Sequence, residues 1–71
     1  MIDNNWKKLI SRHENSFGKT YENDSGIKFT LRGIMHGKDD YYFVMVCHEY
    51  CDVKFCSCVG TLEQHGYRVI S

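Results

Sequence analysis

Residues 41–49 have the sequence Tyr-Tyr-Phe-Val-Met-Val-Cys-His-Glu and carry the strongest strand signal in the chain. Every position through Cys47 is apolar, and aromatic and β-branched residues dominate the segment. A strand that is apolar on both sides is typical of the middle of a sheet whose two faces are covered. We therefore predict that this segment is the central strand of a sheet and is buried on both faces.

The sequence upstream predicts two more strands, joined by short turns. Residues 27–32 alternate apolar and polar side chains, as a half-buried strand does. Gly33 interrupts this pattern as a predicted bulge, and residues 34–36 continue the strand. An earlier strand at 18–22 precedes the turn-favouring sequence Asn-Asp-Ser-Gly at 23–26.

The sequence downstream predicts a hairpin, one helical turn and a last strand. Residues 50–52 close a hairpin into a strand at 53–59, with Val53, Phe55, Ser57 and Val59 on one face. Thr61 and Gln64 form a capping-box pattern that starts a single helical turn, and Gly66 ends it. The last strand at 67–70 follows too soon for a parallel crossover, so we expect it to pair antiparallel or at a sheet edge.

The N-terminal segment predicts a helix capped by Asp3. Its apolar stripe recurs at three- and four-residue spacing and consists of Trp6, Leu9, Ile10 and His13. The predicted fold is therefore α+β. An N-terminal helix packs on a four- to five-stranded, mainly antiparallel meander sheet, with a short one-turn helix near the C-terminus, and residues 1–71 form one small domain.

Composition narrows the classes of protein that the chain could belong to. Nine basic and nine acidic residues cancel to a formal net charge of zero. A net charge of zero argues against a protein that neutralises many phosphates. It also favours association of the chain with itself or with a partner. No apolar stretch approaches the length of a membrane span, and the N-terminus lacks the basic and apolar regions of a signal peptide. We expect a soluble, cytoplasmic protein whose four cysteines are reduced.

Six potential metal ligands lie close together in the sequence, and they raise the question of a zinc site. They are Cys47, His48, Cys51, Cys56, Cys58 and His65. Their spacing lacks the tight C-x2-C knuckle of structural zinc sites, so our main interpretation is that the cysteines are buried, inert side chains and that the protein has no cofactor. Zinc held by Cys47, Cys51, Cys56 and Cys58 is the alternative, and a disulfide between Cys47 and Cys56 is a third. Cys47 and His48 do not form a catalytic pair, because neighbours in a strand point to opposite faces.

A nucleic-acid-binding module is a further alternative. Basic residues are interleaved with the rings of Tyr21, Phe29 and Tyr41, and a sheet that exposes rings beside basic residues can stack bases. These basic residues are Lys7, Lys8, Arg12, Lys19, Lys28 and Arg32. The order of helix, three strands and short helix resembles the layout of double-stranded-RNA-binding domains, but the second helix here lacks their lysine-rich start. We therefore rank nucleic acid below a protein partner.

No complete catalytic motif is present, and a chain of 71 residues leaves little room for a walled pocket. The hypothesis that we carry forward is a small non-enzymatic protein-binding regulator or inhibitor. The size of the chain is typical of accessory proteins of bacteriophages and mobile elements. Homodimerisation is compatible with this hypothesis. The rings predicted to form the interface are Tyr41, Tyr42, Tyr50, Phe17 and Tyr67, because tyrosine supplies contact area at low entropic cost.

Overall fold

A computed structural model describes residues 4–71, without the side chain of Asn4. The helix and strands are α1 Asn4–His13, β1 Thr20–Glu22, β2 Lys28–His36, β3 Tyr41–Cys47, β4 Val53–Ser57 and β5 Arg68–Val69. Two short 3-10 turns occupy Glu14–Ser16 and Glu63–His65. The predicted helix cap, Asp3, lies outside the described residues.

The five strands form one antiparallel sheet in the order β4-β3-β2-β1-β5. The first four strands follow one another as a meander, and β5 returns to pair with β1 at the far edge. This confirms the predicted α+β class and the antiparallel edge position of the last strand. The prediction that residues 41–49 form the central strand is wrong, because β2 is central and β3 lies beside the edge strand β4.

The connections adopt the predicted turn chemistry. The side-chain Oδ1 of Asn23 accepts hydrogen bonds from the backbone N–H groups of Ser25 and Ile27, each at 3.0 Å, and these bonds fix the turn between β1 and β2. In the C-terminal turn, the Thr61 N–H donates to Gln64 Oε1 at 2.9 Å and the Gln64 N–H donates to Thr61 Oγ1 at 3.3 Å. These two bonds are the reciprocal pair of a capping box, as the sequence predicts.

The turn between β2 and β3 also anchors β4. The Gly37 N–H donates to the Asp40 carbonyl at 2.7 Å and closes the turn. One carboxylate oxygen of Asp40 accepts the Tyr41 N–H at 2.7 Å, and the other accepts the Ser57 hydroxyl at 2.6 Å. The carboxylate therefore ties the end of β4 to the start of β3.

One face of the sheet carries the core. The buried side chains are Tyr21, Phe29, Leu31, Phe43, Met45, Cys47, Leu62 and Tyr67. The predicted helix stripe lies on this face. The His13 ring meets the Phe43 ring edge-on at a centroid distance of 5.0 Å, and Trp6 stacks on Tyr41 at 5.5 Å. Among the side chains of residues 5–71, only those of Phe43, Leu31 and Met45 are less than 2% exposed, so this small domain depends on each of them.

Candidate functional site

The second face of the sheet carries an uncharged apolar patch. We call it the open-face patch, and it is built from three cross-strand pairs: Met35 with Tyr42, Val44 with Phe55, and Val46 with Val53. Side chains of β3 alternate between the two faces, so Phe43, Met45 and Cys47 are buried while the residues between them are only half-buried. The exposed fractions are 38% for Met35, 51% for Val53 and 53% for Phe55.

The elements outside the sheet pack on the opposite, core face. Helix α1 reaches the sheet through the contacts of Trp6 and His13, and Leu62 and Tyr67 bring the C-terminal turn onto the same face. Within residues 4–71, the open-face patch is therefore left without a covering helix or turn. The prediction that both faces of this strand are buried is wrong for this reason.

Gly33 enlarges the space beside the patch. Arg32 is the extra residue of a bulge, since the register passes from Leu31 opposite Met45 directly to Gly33 opposite Val44. A Cβ atom at Gly33 would have no heavy atom within 4 Å, apart from its chain neighbours. Gly33 thus leaves a free position next to Val44 on the open face.

An ion pair lies on this face at the far end of the sheet. Glu22, paired with Lys28 across β1 and β2, binds the exposed guanidinium of Arg68 on β5. This hydrogen bond lowers the pKa of Glu22 and raises that of Arg68. The ion pair is exposed, so it contributes little to stability, and it marks the polar border of the open face.

Strand β4 forms an accessible edge of the sheet. The Cys47 N–H donates to the Asp52 carbonyl at 2.8 Å, and the Cys58 N–H donates to the Tyr41 carbonyl at 2.9 Å. Even-numbered residues of this segment therefore point their backbone groups toward β3. Because direction alternates along a strand, the N–H and C=O groups of Val53, Phe55 and Ser57 point away from the sheet. We call this row of outward backbone groups the β4 edge.

The structure separates the five rings that the sequence predicted for an interface. Tyr42 belongs to the open-face patch, and Tyr50 is 67% exposed in the loop before β4. Tyr41 is half-buried and contacts the rings of Trp6 and His36, with a centroid distance of 4.5 Å to His36. Tyr67 is only 7% exposed and packs edge-on against Phe29, so it is a core residue, and Phe17 packs against that core.

Sequence reasoning missed Val44, Val53 and Phe55 as candidate interface residues. It placed Val53 and Phe55 on one face of their strand, which the register confirms, but it expected the β3 side of that face to be covered. The signal that could have identified them is the coincidence of an apolar β3 face with an apolar β4 face. An amphipathic sheet needs only one such face for its own core.

The four cysteines are all free thiols and are spread over the fold. Cys47 is buried in the core, whereas Cys51 is exposed in the loop before β4, so the prediction that the cysteines are buried is wrong for Cys51. The register pairs Cys56 with Phe43, so the predicted approach of Cys47 to Cys56 does not occur. Burial raises the pKa of Cys56 and raises that of Cys58 to about 12, with Asp40 adding to the second shift.

No group of three or more His, Cys, Asp or Glu side chains between residues 4 and 71 is placed to hold a metal ion. The zinc alternative for Cys47, Cys51, Cys56 and Cys58 therefore lacks the clustered thiolates that it requires. That the protein uses no cofactor stays a prediction.

The residues of the nucleic-acid alternative are also dispersed. Tyr21 and Phe29 are buried, which removes two of the three rings proposed to stack bases. Lys7, Lys8 and Arg12 lie on the exposed side of α1, over the core face, whereas Lys28 lies on the open face. These basic side chains do not form one continuous surface.

A cavity of about 50 Å³ lies beneath the helix, with room for a few water molecules and far below the volume of an ordinary ligand pocket. Its lining residues are His13, Ser16, Tyr21, Leu31, Phe43, Thr61, Leu62 and Glu63. Burial lowers the pKa of His13, Arg12 lowers it further, and Glu63 opposes both effects. The lowered pKa therefore favours the neutral form of the His13 ring that packs against Phe43.

Comparisons with known proteins give no relative. No protein-family model matches the chain, and no curated protein and no solved structure matches it.

The helix described in residues 4–71 has 10 residues, and no helix in this part of the chain is long and apolar enough to cross a membrane.

Proposed function

We propose that this chain is a non-enzymatic protein-binding module that docks a partner on the open-face patch. The observation that carries this proposal is the patch itself. Three apolar pairs lie side by side on β2, β3 and β4, without a charge among them and without an element of residues 4–71 above them. Contiguous apolar surface of this kind marks interaction sites in soluble proteins.

The chemistry of the patch defines the partner that it fits. An aromatic ring at Tyr42, another at Phe55 and the thioether of Met35 are residue types enriched at the centres of protein interfaces. None of the six patch residues is charged, and the exposed Arg32 lies beside the patch in the bulge opposite Val44. The partner is therefore a protein that presents a mainly apolar surface of its own.

The test uses Gly33, because its free position lets a side chain be added to the open face while the patch residues stay in place. In Gly33→Glu, docking would bury a carboxylate beside Val44. Each such charge typically costs about 2–5 kcal/mol, so the dissociation constant should rise at least roughly thirtyfold. Ile70→Glu is the matched control, since it adds the same charge at a 44% exposed site beyond β5.

Partners would be captured with a photoreactive amino acid at Tyr42, and each captured protein would then be purified and titrated calorimetrically against wild type, Gly33→Glu and Ile70→Glu. We expect wild type and Ile70→Glu to bind equally and Gly33→Glu to bind far more weakly. Equal binding by all three would show that the patch is not the interface. If no purified protein bound to the wild type, the proposed function would fail.

A further inference from the structure

The β4 edge borders the open-face patch and has its own chemistry. We propose that a second copy of this chain occupies it, with the β4 strands of the two copies running antiparallel about a two-fold axis at Phe55. The inference rests on the proposed function, because it assigns an occupant to the border of the same surface. It predicts a ten-stranded sheet that continues across two molecules.

The two edges of the sheet differ in how they resist pairing. The β5 edge is two residues long and displays Arg68, which is held by Glu22. Short edge strands with charged side chains are a common way to prevent association. The β4 edge is five residues long, lacks proline and has valine and phenylalanine beside its outward backbone groups.

Lys54 is the one charge within β4, and it is turned away from the edge. It lies opposite Met45, on the core face, and its Nζ sits 5.8 Å from the Phe29 ring centroid and 5.7 Å from that of Tyr67. These cation–π contacts hold the ammonium over the molecule's own core. Lysine side chains on an edge strand commonly prevent pairing with another strand, but the Lys54 ammonium lies over the core and not at the edge.

Backbone direction and charge restrict the register of the pairing. Outward-pointing residues must face one another, so Phe55 can pair with Phe55 of the second copy and Val53 with Ser57 of the second copy. In this register Lys54 lies opposite an uncharged Cys56. A shift of two residues in one direction would place Lys54 directly opposite its own counterpart, and like charges in that position are destabilising.

The segments around β4 are complementary in the same arrangement. Tyr50 is 67% exposed before the strand and Val59 is 71% exposed after it. A two-fold axis at Phe55 brings the segment before β4 of one copy alongside the segment after β4 of the other. The exposed Tyr50 and Val59 side chains then lie near each other at both ends of the paired strands.

The first experiment measures oligomeric state by sedimentation equilibrium of the purified chain over a roughly hundredfold range of concentration. Val53→Pro removes an outward N–H but leaves the β3–β4 hydrogen bonds intact, and by symmetry it deletes two bonds between the copies. We expect the half-dimerisation concentration to rise roughly tenfold or more. Val53→Thr keeps the N–H and should shift this concentration much less. Phe55→Thr removes the self-paired ring and tests the same interface should Val53→Pro fail to fold.

A second experiment tests the register. Cys51→Ser removes the exposed native thiol, and Phe55→Cys is then added and treated with a short thiol–thiol cross-linker at a concentration above the half-dimerisation concentration of Phe55→Thr. The pair across the axis has a Cα separation of about 5.5 Å, so cross-linked homodimers should form rapidly. Val69→Cys, at a 45% exposed site in β5, is the control and should not cross-link.

A chain that stays monomeric at every concentration would overturn the inference, and the calorimetric assay with Gly33→Glu would then judge the proposed function on its own. A dimer that is unaffected by both Val53→Pro and Phe55→Thr would also overturn it. A dimer disrupted by Gly33→Glu alone would indicate face-to-face pairing of the patches. Cross-linking of Phe55→Cys in cells to a different protein would replace the second copy with that partner.

Discussion

The two faces of β3 should differ sharply in what substitutions cost, and this contrast tests the central feature of the structure. Met45 is 0% exposed, whereas its neighbour Val44 is half-buried on the open face. Met45→Ala removes three buried heavy atoms, each worth about 0.8 kcal/mol in transfer free energy, and leaves a cavity, so the expected loss is about 2–5 kcal/mol. Val44→Thr adds a hydroxyl that water can solvate, and we expect a change within about 0.5 kcal/mol.

A closely matched pair removes the difference in side-chain size. Cys47→Ser and Val46→Thr each introduce a hydroxyl at nearly constant volume, on the core face and on the open face respectively. The first should cost about 1–3 kcal/mol because the buried hydroxyl lacks a solvent partner, and the second should be close to neutral. Urea unfolding followed by circular dichroism, at a concentration low enough to keep the chain monomeric, gives the free energies. Equal losses on the two faces would refute the one-sided core.

Three further measurements test other parts of the structure. The stability contributed by His13 should be present above pH 6.5 and decrease as pH falls through its lowered folded-state pKa, because the unfolded state binds the proton more readily; His13→Asn should flatten this dependence. At pH 8 a maleimide should modify Cys51 rapidly and Cys58 slowly, since burial raises the pKa of Cys58 to about 12, and mass spectrometry that finds equal rates would contradict this. Asp40→Ala should lower the free energy of unfolding by about 1–3 kcal/mol, since it removes the acceptor that holds β4, whereas Asp39→Ala should be nearly neutral in the same assay.

The local structure could be predicted from the sequence because its determinants are neighbours in the chain. The turn at Asn23 and the capping box of Thr61 and Gln64 depend on hydrogen bonds that span two to four residues. The bulge before Gly33 was predicted for the same reason. The residue that it displaces, Arg32, could be identified only from the register between β2 and β3.

The position of β3 could not be predicted because a hydrophobic pattern does not identify what covers it. Val44 and Val46 have the same local signature whether a helix of this chain or another molecule lies above them. The chain has one substantial helix in residues 4–71, and that helix packs on Phe43 and Tyr41. The distance between Cys47 and Cys56 could not be predicted for a similar reason, since it depends on the register between β3 and β4, which pairs Cys56 with Phe43.

The open face also bears on what the isolated fold requires. At Val44, Val46 and Val53 a threonine would have the same branched shape and a similar preference for strands, and its hydroxyl would be satisfied by water. The monomer would then keep its buried residues Phe43, Leu31 and Met45 and its turns unchanged. Val53 is 51% exposed, so its apolar side chain gains less in the monomer than in a complex that removes it from water. Under the docking proposal, the apolar side chains of the patch serve a contact in addition to the stability of the single chain.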